Sequence, residues 1–210
     1  MLKVDNLTLR YAHETLLNNV SFHADNGEIL TLMGVSGSGK STLLNWIVGA
    51  PENNLHASGE LWLNDRRCDV LPTEARRIGI LFQDALLFDH FSVGQNLLLA
   101  LPGSVPRSLR RQKVEAALEH AVLSGFYSRD PATLSGGQRA RVALLRSLLA
   151  EPEALLLDEP FSGLDAVLRD SFRQWVFAEI KQRQIPVILV THDVADIPPD
   201  GRCLRLESWR

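Results

Sequence analysis

The chain is poor in cysteine: Cys68 and Cys203 are the only two and stand far apart in 210 residues. That excludes a dense disulfide framework and points to a reduced, intracellular setting with two structural thiols. No run approaches the roughly 20 apolar residues of a bilayer-crossing helix, so any membrane role needs another chain to supply the span. The N-terminus, MLKVDNLTLR, alternates and carries charges throughout, unlike a basic leader ahead of an apolar stretch, and no signal peptide is expected. Basic charge is not in excess either. The 22 Lys and Arg against 25 Asp and Glu leave a net −3, which argues against a nucleic-acid carrier that depends on a positive field. Internal repeats and low-complexity tails are also missing.

What is present fits a single compact unit with a well-buried core, with two small lobes sharing one as the alternative. LKVDNLTLRY, LLNNVSFHA and GEILTLM are predicted strands, bounded by turn formers such as Asn26-Gly27. The last runs into a glycine-rich loop. STLLNWIVGA has helical spacing and is expected to stop before Pro51, while GELWLND and RRIGILFQD again have strand character. From Ala85 to Ala150 the pattern turns helical, with LPGSVP as a loop, and the sheet resumes with EALLLDEP and IPVILVTHD on either side of an amphipathic helix from Asp165 to Arg183. Short apolar runs alternating with helices favour an α/β fold with a mostly parallel sheet covered on both faces. The expected division is a core made of 1–84 and 151–210, including an N-terminal β subdomain, with 85–150 as an inserted helical subdomain.

GVSGSGKS, preceded by a strand and followed by a helix, matches G-x-x-x-x-G-K-[ST]. Gly34, Val35, Ser36, Gly37, Ser38 and Gly39 would wrap backbone N–H groups around phosphate, with Thr42 in the same helix start. Lys40 can reach β- and γ-phosphates, and Ser41 can bind Mg²⁺. ALLLDEP carries Asp158 and Glu159 to a sheet edge, where Asp158 suits Mg²⁺ and Glu159 suits the base for an attacking water. Two carboxylates that merely solvate a strand end are the alternative. His192 closes VILVTHD at the same edge and is placed for a γ-phosphate hydrogen bond, whereas His13, His23, His56, His90 and His120 take packing or surface readings. Gln83, after IGILF, can serve the metal or the water. In LSGGQ, Ser135, Gly136, Gly137 and Gln138 open an Arg-rich helix in a way that suits an anion.

In this order, GVSGSGKST, Gln83, LSGGQ, ALLLDEP and His192 resemble the ATP-binding cassette family, the ATPase subunits of ABC transporters, from about Leu2 to Leu206. LSGGQ is the most specific of these features. The resemblance implies a phosphate-loop NTPase cassette, with ATP and Mg²⁺ as ligands and two cassettes paired head to tail. The signature of one then faces the phosphate loop of the other across a shared ATP. It also implies that Tyr11 stacks on adenine, with a plain strand-end tyrosine as the alternative, and that Ser162 to Asp165 contact the opposite subunit, although Gly163 departs from the usual alanine or asparagine.

QDALLFDHFSVGQNLLL resembles the segment of iron, thiamine, polyamine, sulfate and molybdate importers that receives a helix of an integral membrane permease. Leu86, Leu87 and Phe88 would line that cleft or belong to the lobe core. The implied setting is the cytoplasmic face of the inner membrane, with a solute-binding protein as an indirect partner. With the chain ending at Arg210, no fused regulatory domain is expected. RSLRRQK is expected to be a solvated helix face, or else a contact with lipid headgroups or a partner, and the Trp175 and Phe177 region a buried stripe. A soluble cassette acting on ribosomes or nucleic acid, or a phosphotransferase, are the rival functions. The first would ordinarily carry two cassettes or large insertions, and the second an acceptor pocket and an arginine-rich lid.

Overall fold

The structure, a computed structural model, describes residues 1–12, 14–35 and 37–209. His13, Ser36 and Arg210 lie outside the described residues, and with them the phosphate-loop role expected of Ser36.

Two compact units divide the chain: Met1–Ile80 with Glu153–Glu159 and Phe177–Arg210, and Leu81–Pro152 with Pro160–Val176. The second therefore takes in 160–176 besides the 85–150 stretch set apart from sequence.

The first unit holds two sheets. Strands β1 (Leu2–Tyr11), β2 (Glu14–Ala24), β4 (Leu55–Leu63) and β5 (Arg66–Arg67) form an antiparallel sheet in the order β2-β1-β4-β5. In β1 the buried residues change phase, from Leu2 and Val4 to Leu7 and Leu9. One extra residue is needed to switch faces. Asn6, at φ 49, supplies it where the pairing with β2 shifts register.

The other sheet contains β3 (Ile29–Met33), β6 (Ile78–Leu81), β7 (Ala154–Asp158), β8 (Val187–Thr191) and β9 (Cys203–Arg205), in the order β6-β7-β8-β3-β9. The pairs β3–β8, β3–β9 and β7–β8 are parallel. Every residue of β8 and the first four of β7 are buried, the unbroken apolar pattern of strands covered on both faces. Helix α1 (Lys40–Val48) shares one buried cluster with Leu7, Leu9 and Val20 of the antiparallel sheet and with Leu32, Leu156 and Val190 of the parallel one. It ends at Gly49, φ 92, earlier than the proline rule implied, because that glycine's N–H bonds back to the Asn45 and Trp46 carbonyls. Buried Arg76, in the short helix α2 (Thr73–Arg76), donates to the Trp46 and Ile47 carbonyls at 2.7 and 3.0 Å and secures that end.

The second unit is helical: α3 (Val93–Leu98), α4 (Arg107–His120) and α5 (Gly136–Leu149) pack on a shared core of Val93, Leu97, Val114, Leu118, Val142 and Leu145. Its polar anchor is Asn96, fully buried, whose amide nitrogen donates to the carbonyls of Phe88, Phe91 and Ser92 while its oxygen accepts Phe88 N–H. The basic stripe of α4 is tied down within this unit. Arg110 donates to the carbonyls of Leu98, Leu101 and Pro102, Arg111 pairs with Glu115, and Lys113 with Glu151. Helix α6 (Ala166–Arg183) is divided between the units: its part in this one buries Phe172 and Val176, four residues apart on one face, with Trp175 half-buried, and its part in the first unit buries Ile180, with Phe177 half-buried.

Candidate functional site

Because β3, β7 and β8 run side by side in one direction, the segments after Met33, Asp158 and Thr191 emerge at one edge of the sheet, where open α/β sheets bind ligands. The loop after β3 turns tightly into α1. A Cβ on Gly34 would collide with Ser38 Oγ, and Gly39 at φ 92 occupies the left-handed region that favours glycine. The Ser38 hydroxyl is fully buried and without a hydrogen-bond partner, a polar group that only a ligand or solvent could satisfy.

Lys40, Leu43, Leu44 and Ile47 form one buried stripe of α1. The Lys40 stem is thus held inside, and its ammonium turns to the loop, donating to the Gly34 and Val35 carbonyls at 2.8 and 3.0 Å. The N–H groups of the first helical turn and the positive end of its dipole lie at the same place.

Ser41 Oγ donates to Asp158 Oδ2 at 3.1 Å. Burial pushes the Asp158 carboxyl pKa up, Glu159 adds to the rise, and the Ser41 hydrogen bond and Lys40 charge oppose it. Glu159 follows in a left-handed backbone, φ 46, a conformation that costs a non-glycine residue about 1–3 kcal/mol. Its N–H is anchored on the Val190 carbonyl at 2.9 Å. Its Oε2 lies 3.0 Å from His192 Nδ1, with 17% of the Glu159 side chain and 64% of His192 exposed. Thr191 braces this histidine: its hydroxyl accepts Asp193 N–H at 3.1 Å and donates to buried Asp196 at 2.8 Å.

In the second unit, Ser135 caps α5. Its Oγ accepts Gln138 N–H at 3.3 Å, and Gln138 Oε1 accepts Ser135 N–H at 3.0 Å, a reciprocal box. Gly137 is buried, and a Cβ there would press on Leu168 at 3.1 Å; one on exposed Gly136 would meet nothing nearer than Leu164 at 3.8 Å. The chain's own packing therefore requires a small residue at 137 and not at 136. Asp165 Oδ1 accepts Leu168 N–H at 3.0 Å, so the SGLD loop leads into α6.

The structure thus brings together Lys40, Ser41 and Asp158, and pairs Glu159 with His192. Ser38 and Val35 belong to the same loop, and Gly37 is left-handed at φ 76. Thr42 is half-buried on α1. Gln83 is exposed just past β6, and Tyr11 is half-buried at the end of β1, opposite Glu14 and Leu55. Leu87 packs on the helical core, as the lobe-core reading has it, while Leu86 and Phe88 are 60% and 54% exposed. Sequence reasoning missed Glu207, whose Oε1 accepts Val35 N–H at 2.7 Å. No local pattern signals a partner 172 positions away.

Residues 17–162 match the protein family described as ABC transporter. The chain belongs to the ABC transporter family. It is 60% identical over 209 residues to the ABC transporter ATP-binding protein YnjD of Escherichia coli (strain K12), covering 100% of this chain and 96% of that one. The sulfate/thiosulfate import ATP-binding protein CysA of Mycobacterium tuberculosis (strain ATCC 25618 / H37Rv) is 40% identical over 92% of the chain, which spans 54% of CysA. Among solved structures, the ATP-binding cassette MJ0796, dimeric in a post-hydrolysis state bound to ADP and Pi, matches with a TM-score of 0.78 and 31% identity over 93% of this chain and 90% of that one. Like these ABC relatives, the chain is an ATP-binding subunit with an ATPase fold. Among the described residues, no helix is long and apolar enough to cross a membrane.

Proposed function

We propose that this chain is the ATP-hydrolysing motor of a bacterial importer, with ATP held between two copies packed head to tail and its turnover coupled to an integral membrane permease. The observation that carries the reading is the grouping at one sheet edge of Lys40, the Ser41–Asp158 pair at 3.1 Å and the Glu159–His192 pair at 3.0 Å.

Lys40 and the N–H groups of the phosphate loop, other than those of Val35 and Ser38, which are bonded to Glu207 and to the Val35 carbonyl, bind the β- and γ-phosphates, and Tyr11 stacks on adenine. Ser41 and Asp158 offer hard oxygens close together, which suits Mg²⁺. Among the described residues no cluster of three or more His, Cys, Asp or Glu forms a cage, in keeping with a metal that completes its shell with water and substrate phosphate. Gln83 is the further ligand proposed from its place in the motif order. Bound there, Mg²⁺ would neutralise charge on the phosphates. Glu159 accepts the proton of the attacking water, and His192, paired with Glu159 through Nδ1, donates to the γ-phosphate through Nε2 when the ring carries both protons. From the second copy, Ser135 offers its O–H, since its oxygen already accepts from Gln138, and Gly136 and Gly137 offer the free N–H groups of a helix start.

The importer assignment draws on relatives such as CysA, whose name specifies import. Exposed Leu86 and Phe88 are the proposed seat of the permease. A solute-binding protein would act only through that permease, and the cassette would sit peripherally on the cytoplasmic face of the inner membrane. The test is Glu159→Gln: hydrolysis should fall by roughly 10²–10⁴-fold with ATP binding retained. Unchanged turnover would remove Glu159 from its role.

A further inference from the structure

One peptide group of the phosphate loop is gripped at both ends by opposite charges. Its carbonyl, on Gly34, accepts from the Lys40 ammonium at 2.8 Å; its N–H, on Val35, donates to the Glu207 carboxylate at 2.7 Å. The sequence motif accounts for Lys40. Nothing in it accounts for a carboxylate delivered to the loop from the turn that follows β9. Glu207 Oε1 would also lie 3.3 Å from a Cβ on Gly34, so the acid closes on the loop's first residue as well as on Val35. Together with Met33, Gly34, Val35, His192 and Arg205, it lines a cavity of about 200 Å³.

We infer that Glu207 is a positioning residue for nucleotide binding, which acts through the Gly34–Val35 peptide on Lys40. The inference rests on the proposal that Lys40 binds the phosphates of ATP. Hydrogen bonds in series polarise one another. A negative charge on the N–H end makes the Gly34 carbonyl a better acceptor and holds Lys40 more firmly on the loop. To bind phosphate, that ammonium must turn at least part of its donor capacity away from the carbonyls. Glu207 also places a negative charge beside a loop that receives a polyanion. Both effects weaken ATP binding while the hydrogen bond keeps the loop in shape. The carboxylate therefore trades affinity for order, which suits a motor that must release its product each cycle.

Charge and hydrogen bond can be separated. Glu207→Gln keeps an acceptor for Val35 N–H and removes the charge; Glu207→Ala removes both. Binding of the slowly hydrolysed analogue AMP-PNP with Mg²⁺ is measured by calorimetry on the full chain at two salt concentrations, alongside thermal melting. Glu207→Gln should bind roughly two- to fivefold tighter than the parent at low salt, with the gain shrinking at high salt because the side chain is exposed. Glu207→Ala should lower the Tm, a loss that the glutamine variant does not share, because the hydrogen bond to Val35 N–H keeps the loop in shape. Equal affinity of parent and Glu207→Gln at low salt, or the same fall in Tm in both variants, would overturn the inference. Lys40→Ala separates the two levels. Its loss of AMP-PNP binding alongside an unaffected Glu207→Gln overturns the Glu207 inference alone, whereas normal binding by Lys40→Ala overturns the nucleotide site and this inference with it.

Discussion

Ser41 Oγ donates to Asp158 Oδ2 at 3.1 Å, joining the first turn of α1 to the end of β7 across 117 positions. The bond places a carboxylate, largely withdrawn from water, beside the phosphate loop. Fold stability and nucleotide chemistry meet at this pair, because the burial that suits Asp158 to a cation also penalises its charge.

That penalty has a sign. Burial, reinforced by Glu159, holds the Asp158 pKa above its unfolded value, so the folded state binds the proton more tightly. The resulting stabilisation is complete below the unfolded pKa and is lost as pH rises through the folded one. Asp158→Asn should therefore raise the Tm of nucleotide-free protein at about pH 7, by some 2–4 °C for each kcal/mol recovered. The gain should fade toward about pH 4, and hydrolysis should be lost. Melting curves of both proteins across this range check it; a lower Tm for the variant at neutral pH would contradict it.

The two glycines of the signature should part company. Within the chain, a Cβ at Gly136 meets open space, whereas one at Gly137 presses on Leu168. Gly136→Ala should leave Tm within about 2 °C of the parent, since an unhindered surface change is worth under about 0.5 kcal/mol, yet reduce ATP-driven pairing and hydrolysis about tenfold or more. Gly137→Ala should destabilise by about 1 kcal/mol as Leu168 gives way. Denaturant melts with parallel ATPase assays separate the two.

Leu86 and Leu87 are neighbours with opposite fates, one 60% exposed and the other packed on the helical core. Leu86→Asp should change stability by less than about 0.5 kcal/mol and leave ATP binding intact, while abolishing co-purification of a permease. Leu87→Asp should cost about 2 kcal/mol or more by bringing a charge against apolar neighbours. Retention of the permease by the Leu86 variant would move the docking surface elsewhere.

Periodicity made much of this architecture legible. The apolar runs of β7 and β8 mark doubly covered strands, and each ends on the polar residues that line the sheet edge. Asp158, Glu159 and His192 could be placed at that edge for this reason. Terminations were harder to read: α1 stops at Gly49, a C-cap glycine that marks the end locally, but the clamp from Arg76 that secures it leaves no local pattern. Glu207 and Asn96 were invisible for a related reason. Both act on backbone groups, which every residue possesses, so no side-chain spacing betrays the partner. Leu86, Leu87 and Phe88 share one composition, and only the packing of Leu87 sorts core from surface.

Light scattering on Glu159→Gln with saturating ATP and Mg²⁺ decides whether ATP is held between two copies of the chain. A species of twice the chain's mass that dissociates when the nucleotide is removed is expected. A mass that stays at one chain, with nucleotide bound and the permease supplied, would contradict it.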